Sequence, residues 1–177
     1  MIVLMAGLPG TGKSLLAREL ARRTGGHVLN KDVVREALFA PHVIEYSTAQ
    51  DDLVVKLMLQ AAGWLVTQQS ARHVFIDGRV FSRAAQVDEV VRFAEEINVP
   101  WGILECVCSE ETARQRLERD SALEAHPAAN RGISLYLEVK QRFEPITREK
   151  TVIDTDQPLE LCIERALTIL GDAFRQT

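Results

Sequence analysis

The sequence has little positive charge to spare. Its 21 Lys and Arg stand against 25 Asp and Glu, a formal net charge of −4 with a pI near 5.6. That balance does not supply the broad basic surface that neutralises many phosphates along a nucleic-acid polymer, so a long nucleic-acid track is not expected; a short end could still bind locally. Cysteine is scarce as well. Cys106, Cys108 and Cys162 are an odd set without zinc-site spacing, and the four histidines are scattered with no H-x-x-x-H or H-x-E pattern, so none is read as a metal ligand. Cys106 and Cys108, two apart in an apolar run, would share one face of a strand, and all three thiols are expected to be reduced and packed, in a reducing compartment. Nowhere do ~18 apolar residues run together, and the apolar start MIVLMAG has no basic stretch before it. We therefore expect neither secretion nor a membrane span, and a cytoplasmic protein. Ten glycines, six prolines and a 26% charged fraction argue against a disordered tail or a collagenous bias, and no internal repeat is visible.

What is present points to one core. With 177 residues, 46% of them hydrophobic, the chain is expected to form one domain over residues 1–177. Ile2 to Ala6 reads as a buried strand, and a helical pattern follows over residues 13–24 until Gly25 and Gly26 stop it. A strand at 27–29, a short helix at 32–39 stopped by Pro41, and a long helix over 48–70 with Val54, Leu57, Met58, Ala61 and Leu65 on one stripe come next. Val74 to Ile76 is a strand that delivers Asp77 to its carboxyl end, before a helix at 83–96 with Val87, Val90, Val91 and Ala94 inward. A strand at 101–108 leads to Ser109 as N-cap ahead of Glu110 and Glu111, and that helix runs to about Arg119. A last strand at 151–153 and a closing helix carrying Leu159, Ile163, Ala166, Leu170 and Phe174 complete the pattern. Alternation of this kind predicts an α/β fold with three layers, α/β/α, around a five-stranded parallel sheet with right-handed crossovers, and ligands at the carboxyl ends of the strands.

The sharpest signal is Gly7-Leu8-Pro9-Gly10-Thr11-Gly12-Lys13-Ser14, a full match to G-x-x-x-x-G-K-[ST] set between a predicted strand and a predicted helix. Glycines let the backbone curl so that successive N–H groups converge on phosphate oxygens, and the helix that begins near Lys13 adds its positive end. These eight residues and the adjoining Leu15 are assigned to an ATP site, with Lys13 on the β/γ oxygens and Ser14 holding Mg²⁺. Asn30-Lys31-Asp32 imitates the guanine-reading N-K-x-D, but its carboxylate comes one position early and lies too near the glycine loop, so guanine is not expected.

Together GLPGTGKS and Asn30-Lys31-Asp32-Val33-Val34-Arg35 make the chain resemble the small P-loop kinases that include polynucleotide 5′-hydroxyl kinase, zeta-type toxins, chloramphenicol phosphotransferase and gluconate kinase. The second segment is similar to the N-x-D-x-x-R of the polynucleotide-kinase branch. That resemblance implies Asp32 as the group that takes the acceptor hydroxyl proton and Arg35 as the one that grips the acceptor; the alternative is an ordinary helix-start carboxylate and a surface ion pair. Asp77 occupies the place of a Walker-B-like carboxylate that orders Mg²⁺ water or meets the acceptor, or else caps the Asp77-Gly78 turn. Arg79 and Arg83 are candidates for the acceptor or for solvent. Arg116, Arg119 and Arg131 resemble the arginines of the family's helical lid, here about residues 114–135, which close over ATP and stabilise charge on the transferring phosphoryl group; arginine-rich surface helices are common too. The Asp154-Thr155-Asp156 turn lies where related kinases pass the adenine, and a plain strand-to-helix turn capped by Asp156 fits equally. Asp77-Gly78-Arg79-Val80-Phe81 departs from the Asp-Thr-Asn or Asp-Ala-Thr wording common after that strand, which bears on the acceptor more than on the reaction. The leading expectation is an ATP- and Mg²⁺-dependent kinase for a small hydroxylated acceptor. A 5′-hydroxyl kinase for a nucleic-acid end and an ATP-binding switch with little transfer activity are the alternatives, and the oligomeric state has no signature.

Overall fold

Five apolar residues in a row cannot face water on either side, and Ile2–Ala6 (β1) is buried at every position. The computed structural model describes residues 1–68, 72–122 and 132–172. After β1 come α1 (Lys13–Thr24), β2 (His27–Asn30), α2 (Lys31–Leu38), a 3-10 turn at Pro41–Val43 and α3 (Thr48–Thr67). There follow β3 (Val74–Asp77), α4 (Ala84–Glu96), β4 (Trp101–Val107), α5 (Glu110–Ala122), α6 (Ile133–Gln141), β5 (Thr151–Asp154) and α7 (Leu159–Asp172). The strands form one parallel sheet in the order β2-β3-β1-β4-β5. Alternation along β1 sends Ile2, Leu4 and Ala6 into a core with α3 and α4, and Val3 and Met5 into a second core with α1 and α7. This is the three-layer α/β/α arrangement expected from the pattern, with β1 central.

Most expected elements differ from the observed ones by a residue or two, but three differences have physical content. The inward stripe of α3 is Val54, Val55, Met58, Leu59, Ala62 and Gly63, whereas Leu57 is 38% exposed and Ala61 faces out. Gly63 turns the helix: a β-carbon there would lie 3.1 Å from the Phe93 ring and 3.2 Å from Ile97, so its absence lets α3 and α4 close up on that side. Helix α6 was not expected as a separate element. It is anchored by a small third core in which Tyr136 meets Ala113 and Leu117 of α5, with Leu8 of the glycine loop packed on them. Thirdly, the carboxylate expected to cap the last helix serves another: Asp156 Oδ2 accepts from the Ser109 backbone N–H at 2.8 Å, at the start of α5. The end of the long helix at Ser70, the loop at residues 123–130, Arg131 and Phe174 lie outside the described residues. All three cysteines are free, Cys106 and Cys162 buried.

Because β1 sits between β3 and β4, its carboxyl end lies where the chain has crossed from one side of the sheet to the other. The loop after β1 therefore opens at the topological switch point, flanked by the ends of β3 and β4.

Candidate functional site

The loop from Gly7 to Gly12 curls because Gly7, Gly10 and Gly12 all take positive φ. Gly7 is required on steric grounds too, since a β-carbon would sit 2.2 Å from the Cys106 carbonyl oxygen; any side chain there would force β1 and β4 apart. Thr11 Oγ1 donates to Leu8 O at 2.7 Å, and Lys13 Nζ donates to the same oxygen at 2.6 Å, so the ammonium lies within the curl of the loop. Gly12 is the left-handed N-cap of α1, which aims the helix's unpaired N–H groups and its positive end at the same space. Ser14 stands half-buried in the first turn and Leu15 is exposed. Next to Lys13, burial pushes the Cys106 thiol up to about 12, so it stays protonated and adds no negative charge to the cradle.

A second set of groups comes from the end of β2. Asn30 caps α2: its Oδ1 accepts from the Asp32 and Val33 backbone N–H groups at 3.0 and 3.2 Å, while its Nδ2 donates to Asp77 Oδ2 at 2.6 Å. One side chain thus fixes both the helix start and the carboxylate at the end of β3. Asp32 is 3% exposed and meets Arg35 Nη1 at 2.9 Å and Lys31 Nζ at 3.6 Å. Asp51 from α3 closes the group, pairing with Lys31 at 2.7 Å and with Arg35. Arg35 itself is 1% exposed, lies beneath the cleft instead of lining it, and has the Tyr46 ring 5.1 Å away. The two cations offset the two acids, as burial demands. Asp77 is buried with Oδ1 lacking any hydrogen-bond partner, an acceptor whose desolvation no donor repays.

Residues 78–83 form the third wall. Gly78 takes φ 87° against the Lys31 backbone nitrogen, which a β-carbon would approach to 2.7 Å. Phe81, buried in the α3–α4 core, holds φ 54°, a left-handed conformation that costs a bulky residue on the order of 1–3 kcal/mol. The segment is bolted at each side: Gly7 N–H donates to Val80 O at 3.4 Å, Glu144 N–H to Ser82 O at 2.9 Å, and Ala84 N–H to Glu144 Oε2 at 2.6 Å. Arg79 is 5% exposed. Its Nη2 donates to Asp52 Oδ1 at 2.5 Å, and its Nη1 is buried without a hydrogen-bond partner; an unmatched buried donor costs about 1–3 kcal/mol. Solvation was one expectation for Arg79, and the structure places it inside. These walls enclose a cleft of about 190 Å³ lined by Lys13, Lys31, Asp32, Asp51, Tyr46, Arg79, Arg83, Leu135 and Val139 of α6 and, just after that helix, Arg142.

The expected lid arginines part company. Arg116 Nη1 donates to Thr155 Oγ1 at 2.9 Å and to Gly10 O at 3.3 Å, and its Nη2 to Thr155 O at 2.8 Å. Thr155 Oγ1 in turn lies 3.1 Å from Thr11 O. Arg116 therefore clamps the glycine loop to the β5–α7 turn. Arg119 is 71% exposed, and its ion-pair partner among the described residues is Asp120 at 4.0 Å. Asp156 is held below the usual carboxylate range, first by the Thr112 hydroxyl and then by the Ser109 N–H. Asp51, Asp52, Tyr46 and Arg142 were not singled out from the sequence, and Thr155 was read only as part of a turn near the adenine, not as the partner of Arg116. Their signals are ordinary ones, and only the fold carries them to the cleft and the loop.

Among the described residues no helix is long and apolar enough to cross a membrane, and no cluster of three or more His, Cys, Asp or Glu has metal-ligating geometry. The family profile described as AAA domain matches residues 2–145. No curated protein gives a significant sequence match. Among solved structures the chain is similar to Chaetomium thermophilum Kti12 in complex with ADP-AlF3, at 16% identity and TM-score 0.72 over 98% of each chain. It is also similar to the Mycobacterium tuberculosis APS kinase CysC in complex with AMPPNP and APS, at 15% identity and TM-score 0.67 over 96% of each chain. A third likeness is to a gluconokinase from Sinorhizobium meliloti 1021, at 18% identity and TM-score 0.64, covering 97% of this chain and 91% of that one. At such identities the likeness is one of fold.

Proposed function

The chain belongs to the AAA domain family, and from that premise we propose that it is an ATP-dependent phosphotransferase acting on a hydroxyl of a small acceptor. The observation that carries this is the sharing of one cleft by Lys13 of the phosphate loop and Asp32 of α2. Phosphoryl transfer asks for little covalent help: a cation and backbone N–H groups on the transferring oxygens, and a carboxylate near the incoming hydroxyl. Residues 7–15 are the ATP cradle and Lys13 the cation. Asp32 orients the hydroxyl and receives its proton. Arg35, sealed below the cleft, is a positioning residue that holds Asp32 and Asp51 apart. Arg116 positions the glycine loop, which leaves Arg119 and Arg131 as the candidate arginines of the lid at about residues 114–135. The chain's fit to Mg²⁺ rests on Asp77, whose unmatched buried oxygen suits a cation's water shell. Ser14 and Asp77 would hold the ion, which supplies neutralisation of phosphate charge.

The alternatives, a 5′-hydroxyl kinase suggested by the N-x-D-x-x-R segment and an ATP-binding switch, have separate signatures. A coupled assay of ADP release across sugars, nucleosides, aminoglycoside-like and phenicol compounds, with and without Mg²⁺, tests the leading reading, and labelling of oligonucleotide 5′ ends tests nucleic-acid transfer. ADP release at one slow rate whatever acceptor is offered would favour an ATP-binding switch and sink the kinase assignment. A cytoplasmic location belongs to the same reading.

A further inference from the structure

Arg79 is a cation that neither the phosphate loop nor the acid cluster uses. It lies on the strand-end segment whose wording departs from the small P-loop kinases, and that segment is the most constrained stretch of the cleft. Gly78 is wedged against α2, Phe81 sits at positive φ, and hydrogen bonds tie the segment to Gly7 on one side and Glu144 on the other. A buried guanidinium held so firmly, with Asp52 on one terminal nitrogen and nothing on the other, is preorganised for one more acceptor. We propose that the phosphoryl acceptor carries an acid group, a carboxylate or a phosphate, and that Arg79 recognises it in the cleft with Arg83 and Arg142 beside it.

The electrostatics favour this over a neutral ligand. Lys31 and Arg35 already offset Asp32 and Asp51, so the acids of the cleft do not repel an anion at full strength. Among the described residues Arg83 forms no ion pair with an acid, and Arg142, the cap of α6, pairs with Glu138 of that helix at 3.2 Å, where both side chains are exposed by half or more. A neutral ligand would leave the Arg79 donor unmatched, whereas a carboxylate or phosphate oxygen makes a charge-assisted bond with it. Aromatic stacking has less to offer, because the Tyr46 ring is already covered by Arg35.

The inference rests on the phosphotransferase reading for the word acceptor, but its test does not depend on turnover. Protein saturated with a non-hydrolysable ATP analogue is titrated calorimetrically with glycerate, glycerol 3-phosphate and glycerol, and with gluconate, glucose 6-phosphate and glucose. In at least one set an acid should bind roughly tenfold or more tighter than its neutral partner, and which acid wins separates carboxylate from phosphate. Arg79→Met should bring that ratio to within about threefold, while Arg79→Lys, which keeps a point charge but not the fork, retains part of it. Arg142→Gln, on the half-exposed wall, carries no risk to the core and should lower the ratio by about threefold. Equal or absent binding of acids and neutral compounds to the unaltered protein would overturn the proposal, as would a ratio that survives both Arg79→Met and Arg142→Gln. Acid binding without ADP release would instead count against phosphotransfer alone.

Discussion

At the carboxyl ends of the strands Lys13, Lys31, Asp32, Arg35, Asp77 and Arg79 are all buried, while the amino ends bury the imidazole of His73. The charges of the first end are matched to one another, Asp32 and Asp51 against Lys31 and Arg35. At the second end the solution is neutrality. Burial, with the Met1 amino group and Arg72 nearby, lowers His73 to about 4, and backbone bonds close the edge, with Val74 N–H donating to Met1 O and His27 N–H to His73 O. Burying matched ions gains little stability over burying apolar groups of the same shape. On the proposed reading the carboxyl end gives up stability for ligand chemistry, and the amino end serves the fold. Substitutions should separate the two: at one end activity falls far more than stability, and at the other stability alone responds.

The largest separation is expected for Lys13→Ala. Affinity for ATP with Mg²⁺, measured by calorimetry, should drop by more than roughly a hundredfold, since an ammonium on phosphate oxygens is lost in a partly dehydrated site. The melting midpoint without nucleotide should hold or rise, because a buried cation has gone. A midpoint that falls in step with affinity would mean that Lys13 works for the fold, and the contrast between the ends would fail at its strongest point. Asp32→Asn comes next. A general base is worth about 10²–10⁴ in kcat, so a loss of that size with ATP affinity kept is expected, and a loss below about tenfold in a coupled ADP assay would remove Asp32 from the proposed role.

Arg35→Met sharpens the comparison from the other direction, because Arg35 does not line the cleft itself but holds Asp32 and Asp51, which do. Removing it leaves the buried Asp32 and the partly exposed Asp51 with Lys31 alone, which should cost up to about 3–5 kcal/mol in urea unfolding and should lower kcat by displacing Asp32. If stability holds while KM for the acceptor rises, Arg35 reaches the ligand after all, as its place in the N-x-D-x-x-R motif implied. This residue also marks the limit of what was legible. The phosphate loop, the strand order's raw material and the α4 stripe could be read because each is a local pattern: a glycine spacing, an apolar run, a 3.6 period. Asn30, Asp32 and Arg35 could be read as a motif, but not that Asn30 would bond Asp77 or that Arg35 would be sealed between Asp32 and Asp51. Those contacts join α2 to β3 and α3 across long stretches of chain. The phase of α3 escaped because Gly63, a residue with no hydrophobic weight, sets it through what it lacks. Helix α6 escaped because its apolar face covers a neighbouring helix and the glycine loop, not the main core. Arg116 looked like Arg119 in sequence, three residues apart on one helix, and only Thr155, brought by the last strand, distinguishes the clamp from the solvated residue.

The smallest effect belongs to the amino end. His73 is lowered from 6.5 to about 4, so between those values the unfolded chain takes up a proton that the folded protein refuses. Stability must fall as pH drops from 6.5 toward 4, and the loss is complete below the lower value. The Met1 amino group, lowered from 8.0 to about 6, drains stability by the same logic, but over the window between 8 and 6, so the range below 6 isolates the imidazole. Carboxylates add their own slope at acid pH, which is why the informative quantity is a difference between two proteins. His73→Phe preserves an aromatic ring beside Phe75, 6.2 Å away and nearly parallel, and deletes the titration. Between pH 6 and 4 the unaltered protein should lose on the order of 1–2 kcal/mol more than His73→Phe in chemical unfolding, while ATP affinity at neutral pH is the same for both. Parallel pH curves would show that the imidazole is protonated inside the fold and that the amino end also houses a charge. The two ends would then differ in ligand chemistry but not in how they carry ionisable groups.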